Sequence, residues 1–268
     1  MTGHGLSRWI WGLALLGLGC PLSGWADACV QASRLAGGYG LNLSGRLVSG
    51  LPYAAIGRAT FARGTFTLEL TRSINGVNSR TSYSGTVSGS QCALSLVSSQ
   101  PADGFALKGQ IVGKGDTLVV TEQSSTGEAV VASGTLRRIG LKACGTANLK
   151  GTMTYITQGY EQPAGIGSSN VATGKTGRQR FDGKGCSYYR ETIKSGRALT
   201  TDGPAYLPYS VARDCTVTMD AGDGITFFGV LVEGGNSMPY MKLGAGATRS
   251  GEYSRSVSGG PGLNRCQR

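Results

Sequence analysis

The chain has 268 residues, 45 of them glycine, with 26 basic against 15 acidic residues and one histidine. That histidine, His4, and all three tryptophans (Trp9, Trp11 and Trp25) stand in the first 26 residues. Beyond that segment, Ser-His-Asp and Cys-His nucleophile activation, His-ligated zinc or copper and a His-bound haem are all excluded.

Residues 1–26 read as a secretory signal. Arg8 supplies a positive flank, residues 9–18 are an apolar run, and Ser23, Gly24 and Ala26 offer small residues for cleavage. The run is too short to cross about 30 Å of hydrocarbon as a helix. Export to the periplasm or the cell exterior is the expectation. A lipoprotein signal ending at Cys20 is the rival reading, and Gly17 stands where such a signal wants a branched apolar residue.

After a short polar lead carrying Cys29, the pattern is that of β-strands almost throughout. Residues 39–48 alternate with Tyr39, Leu41, Leu43 and Leu47 as the apolar set, which places a bulge near Gly45. In 65–71, Phe66, Leu68 and Leu70 face one way and Thr65, Thr67, Glu69 and Thr71 the other. Asn75-Gly76 then signals a two-residue hairpin. Further strands follow at 80–88, 91–97, 104–112, 117–122 and 129–138, separated by Gly, Asp, Ser or Lys-Gly turns. Close sequential hairpins favour antiparallel order, and roughly eight short strands favour closure into a barrel, with a two-sheet sandwich as the structural rival.

A second unit repeats the first. Its expected strands are 148–157, 175–182, 187–195, 208–213, 216–220, 225–233, 239–243 and 251–257. A Tyr-Ser pair leads to Cys92-Ala-Leu-Ser-Leu in one copy and to Cys215-Thr-Val-Thr-Met in the other. Asp103-Gly104 and Gly109 answer Asp223-Gly224 and Gly229, all 120 residues apart, and Ser133-Gly134 answers Ser250-Gly251. The expected fold is therefore all-β, two tandem antiparallel barrels of about eight strands, with units at 27–140 and 141–268. The junction at 139–143 is too short for a flexible linker, so the units are expected close together.

The cysteines beyond Cys20 are Cys29, Cys92, Cys144, Cys186, Cys215 and Cys266. An even set in an exported chain reads as disulfides, with 15 possible pairings for six cysteines. The repeat favours Cys29 with Cys92 and Cys144 with Cys215, leaving Cys186 with Cys266. No CxxC spacing favours metal. The Gly-rich run 162–177 reads as a mobile loop at a barrel mouth. Its Gly174-Lys175-Thr176 imitates the end of a phosphate-binding loop, but Ser169 stands where the motif requires glycine. No cofactor is expected.

The second unit resembles a family of small exported bacterial β-barrel repeats, lipocalin-like or allene-oxide-cyclase-like in fold. The likeness lies in Phe181-Asp-Gly-Lys-Gly185, in Asp214-Cys215-Thr216 with Val217 and Thr218, and in Glu233-Gly-Gly235. It covers about 144–257 and, more distantly, 39–138, where Gln91 replaces the Asp before Cys and Ala62-Arg63 replaces Asp182-Gly183. These are turn glycines, caps and a cysteine. They imply a fold and carry no catalytic residues.

The leading functional expectation is a non-enzymatic binder holding a small apolar molecule in a barrel. The second unit is richer in aromatics, and Tyr188, Tyr189, Glu191, Phe227, Phe228 and Tyr240 are the candidate ligand-binding residues; filling of the core is the plain alternative for each. As an enzyme without histidine the protein would depend on Asp, Glu, Tyr or Lys, a cyclase or isomerase being the compatible type. Of the carboxylates, Asp182 and Asp214 read as turn caps, Glu233 stands in a repeat motif, and Glu191 faces either cavity or solvent. A structural or surface-interaction protein of the cell envelope is the third class. The net charge of +11 suits an anionic envelope partner, although the basic residues are spread in loose groups, which a solvated surface explains more simply. Only Tyr188-Tyr189-Arg190 interleaves aromatic and basic residues, so nucleic acid is not an expected partner. The strands read as shorter than the 9–11 residues that a membrane barrel needs, so an integral membrane protein is not expected.

Overall fold

The alternation read in 65–71 is the rule by which both halves of the chain close on themselves. The computed structural model describes residues 29–100, 104–124, 129–163, 165–244 and 246–256. The expected signal segment and Cys266 lie outside the described residues. The first unit contains β1 (Gly37–Leu47), β2 (Pro52–Ala62), β3 (Thr65–Ile74), β4 (Val77–Ser88), β5 (Ala93–Ser98), β6 (Phe105–Val112), β7 (Thr117–Ser124) and β8 (Val130–Arg138). The second contains β9 (Lys150–Glu161), β10 (Val171–Asp182), β11 (Cys186–Ser195), β12 (Ala198–Val211), β13 (Thr216–Gly222), β14 (Ile225–Val230), β15 (Ser237–Leu243) and β16 (Ala247–Arg255). Each set is an antiparallel barrel closed by its first and last strands, β1 on β8 and β9 on β16. A sandwich is ruled out by that closure.

Several local expectations change. Residues 52–62, absent from the expected strands, form β2. β1 pairs with β2 in unbroken register, so no bulge exists at Gly45. The inward position is simply occupied by glycine, because a Cβ there would lie 2.1 Å from the Val131 carbonyl oxygen. Residues 171–177 of the expected loop are the start of β10, paired with β9 from Val171 and with β11 from Thr173. Strands reach 14 residues in β12 and 12 in β4, β9 and β10, so the length argument against a membrane barrel falls. No described helix is long and apolar enough to cross a membrane, which says nothing of barrels. The Asn75-Gly76 hairpin is present: Ile74 pairs with Val77, and the two turn residues have φ of 48° and 83°.

Each barrel has one sealed end. At that end a disulfide ties the segment before the first strand to the turn before the fifth: Cys29 to Cys92, and Cys144 to Cys215. Cys92 and Cys215 both take left-handed backbone, with φ of 70° and 75°. Loop closures of 63 and 71 residues each contribute about 4 kcal/mol in the chain-entropy picture. Cys186 is also disulfide-bonded. Disulfides of this kind belong to an oxidising location.

The first barrel is filled. Tyr39, Leu41, Leu43, Ala55, Ala59, Leu68, Leu70, Leu96, Leu107, Leu118, Val120 and Leu136 form one buried interior. At about 1.5–3 kcal/mol for each large aliphatic side chain, this interior is the main source of the unit's stability. Near its unsealed end stand Glu122 and, over the Tyr83 ring at 5.9 Å, the Arg72 guanidinium. Glu122, 2% exposed, accepts a hydrogen bond from the Tyr53 hydroxyl at 2.6 Å, and its other oxygen has no protein partner.

The barrels pack side by side. Ala54 and Ile56 point outward from β2, yet they are fully buried in a cluster with Ile139, Val230, Leu231, Val232 and Met241. The β3–β4 turn docks on the rim of the second barrel: the Gly76 amide donates to Thr248 Oγ1 at 2.6 Å and Gln162 Nε2 to Asn75 Oδ1 at 2.9 Å. Arg137 on β8 crosses to Glu252 at 2.6 Å and to Ser237 Oγ at 3.1 Å.

Candidate functional site

The second barrel keeps the glycine scaffold of the first but changes what stands on it. Gly229 and Gly251 flank Tyr240 in the second barrel as Gly109 and Gly134 flank Val120 in the first. Gly177 lies between Tyr155 and Glu191 as Gly57 lies between Leu41 and Leu70. By the same register, Lys175 stands for Ala55, Gln179 for Ala59, Tyr189 for Leu68, Lys242 for Glu122, Arg249 for Ala132 and Tyr253 for Leu136. Leucines and alanines that fill one barrel are thus replaced by tyrosines and charged groups in the other.

Because the replacing side chains pair with each other, they do not close the space. Toward the sealed end the second barrel has an apolar plug of Leu149, Met153, Phe181, Leu207, Tyr209, Val217, Met219 and Met238. Toward the other end it holds a cavity of about 230 Å³ lined by Tyr155, Thr157, Lys175, Gln179, Tyr189, Glu191, Phe227, Tyr240, Lys242, Arg249 and Tyr253, with Asp202 and Ile225 at the rim. That lies just under the range of about 300–1,000 Å³ common for ligand sites, which suits a small molecule.

Glu191 is the centre of one half of the lining. Its side chain is 8% exposed; one oxygen accepts the Tyr155 hydroxyl and the other the Lys175 ammonium, each at 2.6 Å. In the opposite half, Glu161 accepts from Lys242 at 2.7 Å, with Arg249 Nη1 3.2 Å away. Tyr240 shares a hydrogen bond with Thr157, and the Tyr253 hydroxyl donates to Gln179, which donates to Ser187 Oγ at 2.6 Å. The rings of Tyr155, Tyr240 and Tyr253 are mutually packed, with centroids 4.6–6.4 Å apart.

Burial sets the protonation of this lining. It pushes the Tyr155, Tyr240 and Tyr253 hydroxyls well above the usual tyrosine range, for Tyr155 with the added charge of Glu191, so all three are neutral donors at pH 7. Burial and then the charge of Arg249 hold the Lys242 ammonium below the ordinary lysine range. Burial alone would raise the Glu161 carboxyl, but Arg249 and the hydrogen bond from Lys242 outweigh it and the group sits below its usual value.

Of the six residues singled out from the sequence, Tyr189, Glu191, Phe227 and Tyr240 meet at this cavity. Tyr188 and Phe228 do not, because alternation turns them outward. Tyr188 packs edge-on against Tyr206 at 5.2 Å, and Phe228 pairs with Met241 on the outer face. Sequence reasoning missed Tyr155, Lys175, Lys242 and Arg249; for Tyr155, Lys175 and Arg249 the signal was a charged or phenolic group in place of the aliphatic residue of the other copy, and for Lys242 a reversal of charge against Glu122. Asp182 and Asp214 are turn caps. Asp182 Oδ1 accepts from the amides of Lys184 at 2.7 Å and Cys186 at 3.0 Å, and Asp214 Oδ1 from the Thr216 amide and hydroxyl at 3.1 and 2.8 Å. Glu233 lies at the surface, 3.4 Å from Arg137.

No protein-family model matches this chain, and no curated protein does. Among solved structures it is similar to kievitone hydratase from Nectria haematococca, at 8% identity over 85% of this chain and 92% of that one, with a TM-score of 0.28. It is also similar to a putative AttH protein from Nitrosomonas europaea (9% identity, 82% and 92% covered, TM-score 0.25) and to a porin-like protein from Bacteroides uniformis (9%, 85% and 98%, TM-score 0.20). At such TM-scores these likenesses carry no argument about what the chain does. The tandem-barrel architecture implied by the sequence resemblance is present in the chain's own strand order.

Proposed function

We propose that this is an exported binding protein whose second barrel holds a small molecule and whose first barrel is its filled support. The observation that carries this reading is the register comparison: apart from Glu122 at the place of Lys242, equivalent inward positions hold aliphatic residues in one barrel, and tyrosines, a lysine, an arginine and a glutamate around an open cavity in the other. Polar groups inside a barrel lower stability unless they are matched, and retaining so many on one side points to use. The lining favours a ligand with polar substituents as well as a flat apolar body, rather than the purely apolar ligand expected from sequence. Binding inside a barrel is the lipocalin-like mode. The disulfides favour an exported location, and the polar outward faces of β3 and β4, with Thr65, Thr67, Glu69, Arg80, Ser82 and Ser84 exposed, favour water over lipid around the barrel.

Native mass spectrometry of the protein taken from its own envelope, compared with the denatured mass, tests the reading. A discrete excess mass lost on denaturation is expected. A bare chain, with no gain in thermal stability from any small molecule offered, would overturn it.

One observation favours an enzyme as the second reading: Glu191, a neutral Tyr155 and Lys175 form a hydrogen-bonded acid–base set inside the cavity. A histidine-independent isomerase or cyclase on this set would lose turnover in Glu191→Gln with the fold intact. Undiminished turnover in that variant would rule out the role.

A further inference from the structure

The charges inside the second barrel specify the sign of what it holds. Lys175, Lys242 and Arg249 face two carboxylates, the buried Glu191 of the lining and the partly buried Glu161 behind Lys242 and Arg249. Both oxygens of Glu191 are taken by Tyr155 and Lys175. Glu161 takes the Lys242 hydrogen bond and lies near Arg249 without alignment: Nη1 is 3.2 Å from Oε1, yet neither Nη1 nor Nε of Arg249 has a hydrogen-bond partner. Arg249 is only 2% exposed, so water does not serve those donors freely. The remaining acidic residue of the lining, Asp202, is solvent-exposed at the rim, where its charge is screened.

A guanidinium stays charged even when buried, and unmet buried donors are costly. The barrel interior therefore carries one cation in excess together with unused donors. Arg249 pairs with Gly159 as Ala132 pairs with Gly45 in the first barrel, so the shared scaffold turns this side chain inward in both copies. Next to these donors, Phe227, Tyr240 and Tyr253 present rings, with centroids 6.0 Å apart between Phe227 and Tyr240 and 4.6 Å between Tyr240 and Tyr253.

Resting on the binding reading above, we propose that Arg249 is an anion anchor and that the ligand class is a small ring-bearing monocarboxylate. Its carboxylate meets the Arg249 guanidinium, which turns from Glu161 toward the cavity and presents one edge of its planar fork, completing the charge balance of the interior. Its ring lies against Phe227 and Tyr240, and the Tyr155 hydroxyl oxygen, whose proton goes to Glu191, can still accept from a polar substituent. Arginine's planar fork is suited to a carboxylate in a way that lysine is not.

The test is isothermal titration of the full exported chain at low salt with three probes: benzoate, its neutral isostere benzamide, and acetate. Benzoate is expected to bind about tenfold or more tightly than either, the factor that a charge-assisted hydrogen bond supplies. Arg249→Gln is expected to lower benzoate affinity by about tenfold and to leave benzamide nearly unchanged, with Arg249→Lys recovering part of the loss. The comparison of benzoate with benzamide on the unmodified protein needs no variant to fold. Benzamide binding as well as benzoate would overturn the anion anchor and leave the binding reading standing. Acetate equal to benzoate would overturn the ring requirement and with it the proposed class. No benzoate binding overturns the inference whatever the native mass shows, and a bare native mass in addition removes the binding reading itself.

Discussion

Exchanging Glu191 and Lys175 for the residues that hold the equivalent places in the first barrel, Leu70 and Ala55, is the sharpest test of how the cavity is held open. The side chains of Glu191 and Lys175 are 8% and 16% exposed and lie 2.6 Å apart. Removing one partner of a fully buried pair costs about 3–5 kcal/mol, because the other charge is left behind. Lys175 keeps a little water, so Glu191→Leu alone is expected to cost about 2–3 kcal/mol. Lys175→Ala alone leaves Glu191 with only the Tyr155 hydroxyl, and is expected to cost about 3 kcal/mol. The double variant removes both charges and places a leucine where the first barrel has one. Such replacements are neutral or stabilising by about 1–4 kcal/mol, offset here by about 1 kcal/mol for the Tyr155 hydroxyl left without an acceptor. The double variant is therefore expected between about 1 kcal/mol less and about 3 kcal/mol more stable than the parent, where independent effects would sum to a loss of about 5–6 kcal/mol. Urea denaturation followed by circular dichroism reads all four proteins. A double variant as unstable as the sum of the singles, or single variants costing under about 0.5 kcal/mol, would refute a buried, coupled pair.

Two further predictions concern the first barrel and the seam. Burial pushes the Glu122 carboxyl above the ordinary carboxyl range, against the hydrogen bond from Tyr53 and the charge of Arg72, which lower it. A raised folded value means that the folded state binds the proton more tightly than the unfolded. This group's contribution is then fully present below the ordinary carboxyl range and is lost as pH rises through the folded value. Glu122→Gln should flatten that dependence and stabilise the protein on the order of 1 kcal/mol at pH 8; stability profiles of parent and variant that run parallel from pH 4 to 8 would count against it. Gly76→Ala should lower stability by about 2 kcal/mol, because φ is 83° and the new Cβ would lie 2.5 Å from the Gly246 Cα in the other barrel. Gly64→Ala has a similar φ of 77° but open space around it, and is expected to cost only about 1 kcal/mol. Thermal unfolding of both variants distinguishes docking strain from backbone strain.

Fold and site were not equally legible in the sequence. The barrels follow from alternation, turn glycines and the cysteine repeat, all of which act locally or recur between copies. β2 escaped because Pro52 opens it and because both of its faces are buried: Ala54 and Ile56 serve the seam while Tyr53, Ala55, Ala59 and Phe61 serve the interior. A strand wanted on both sides shows no clean period of two. Within the site, Tyr189, Glu191, Phe227 and Tyr240 stood out as an aromatic and acidic supply. Lys175 was hidden in a run that looks like a glycine loop. Lys242 and Arg249 look like ordinary surface residues until the barrel closes and turns them inward. No single offset would have exposed the set, since Gly57 answers Gly177 at 120 residues but Leu70 answers Glu191 at 121 and Gly134 answers Gly251 at 117. Loop-length changes between the copies break the alignment at each turn.

The seam has a consequence for the protein as an evolving object. A duplicated domain is ordinarily free to be lost, shuffled or multiplied, because each copy is soluble by itself. Here Ala54 and Ile56 on one unit and Val230, Val232 and Met241 on the other form a single dry surface shared between the two. Deleting either copy would strand that surface in water, and adding a third would offer it no counterpart. The two copies are thereby tied to each other's presence, and the filled member stabilises a chain whose other member carries a charged interior.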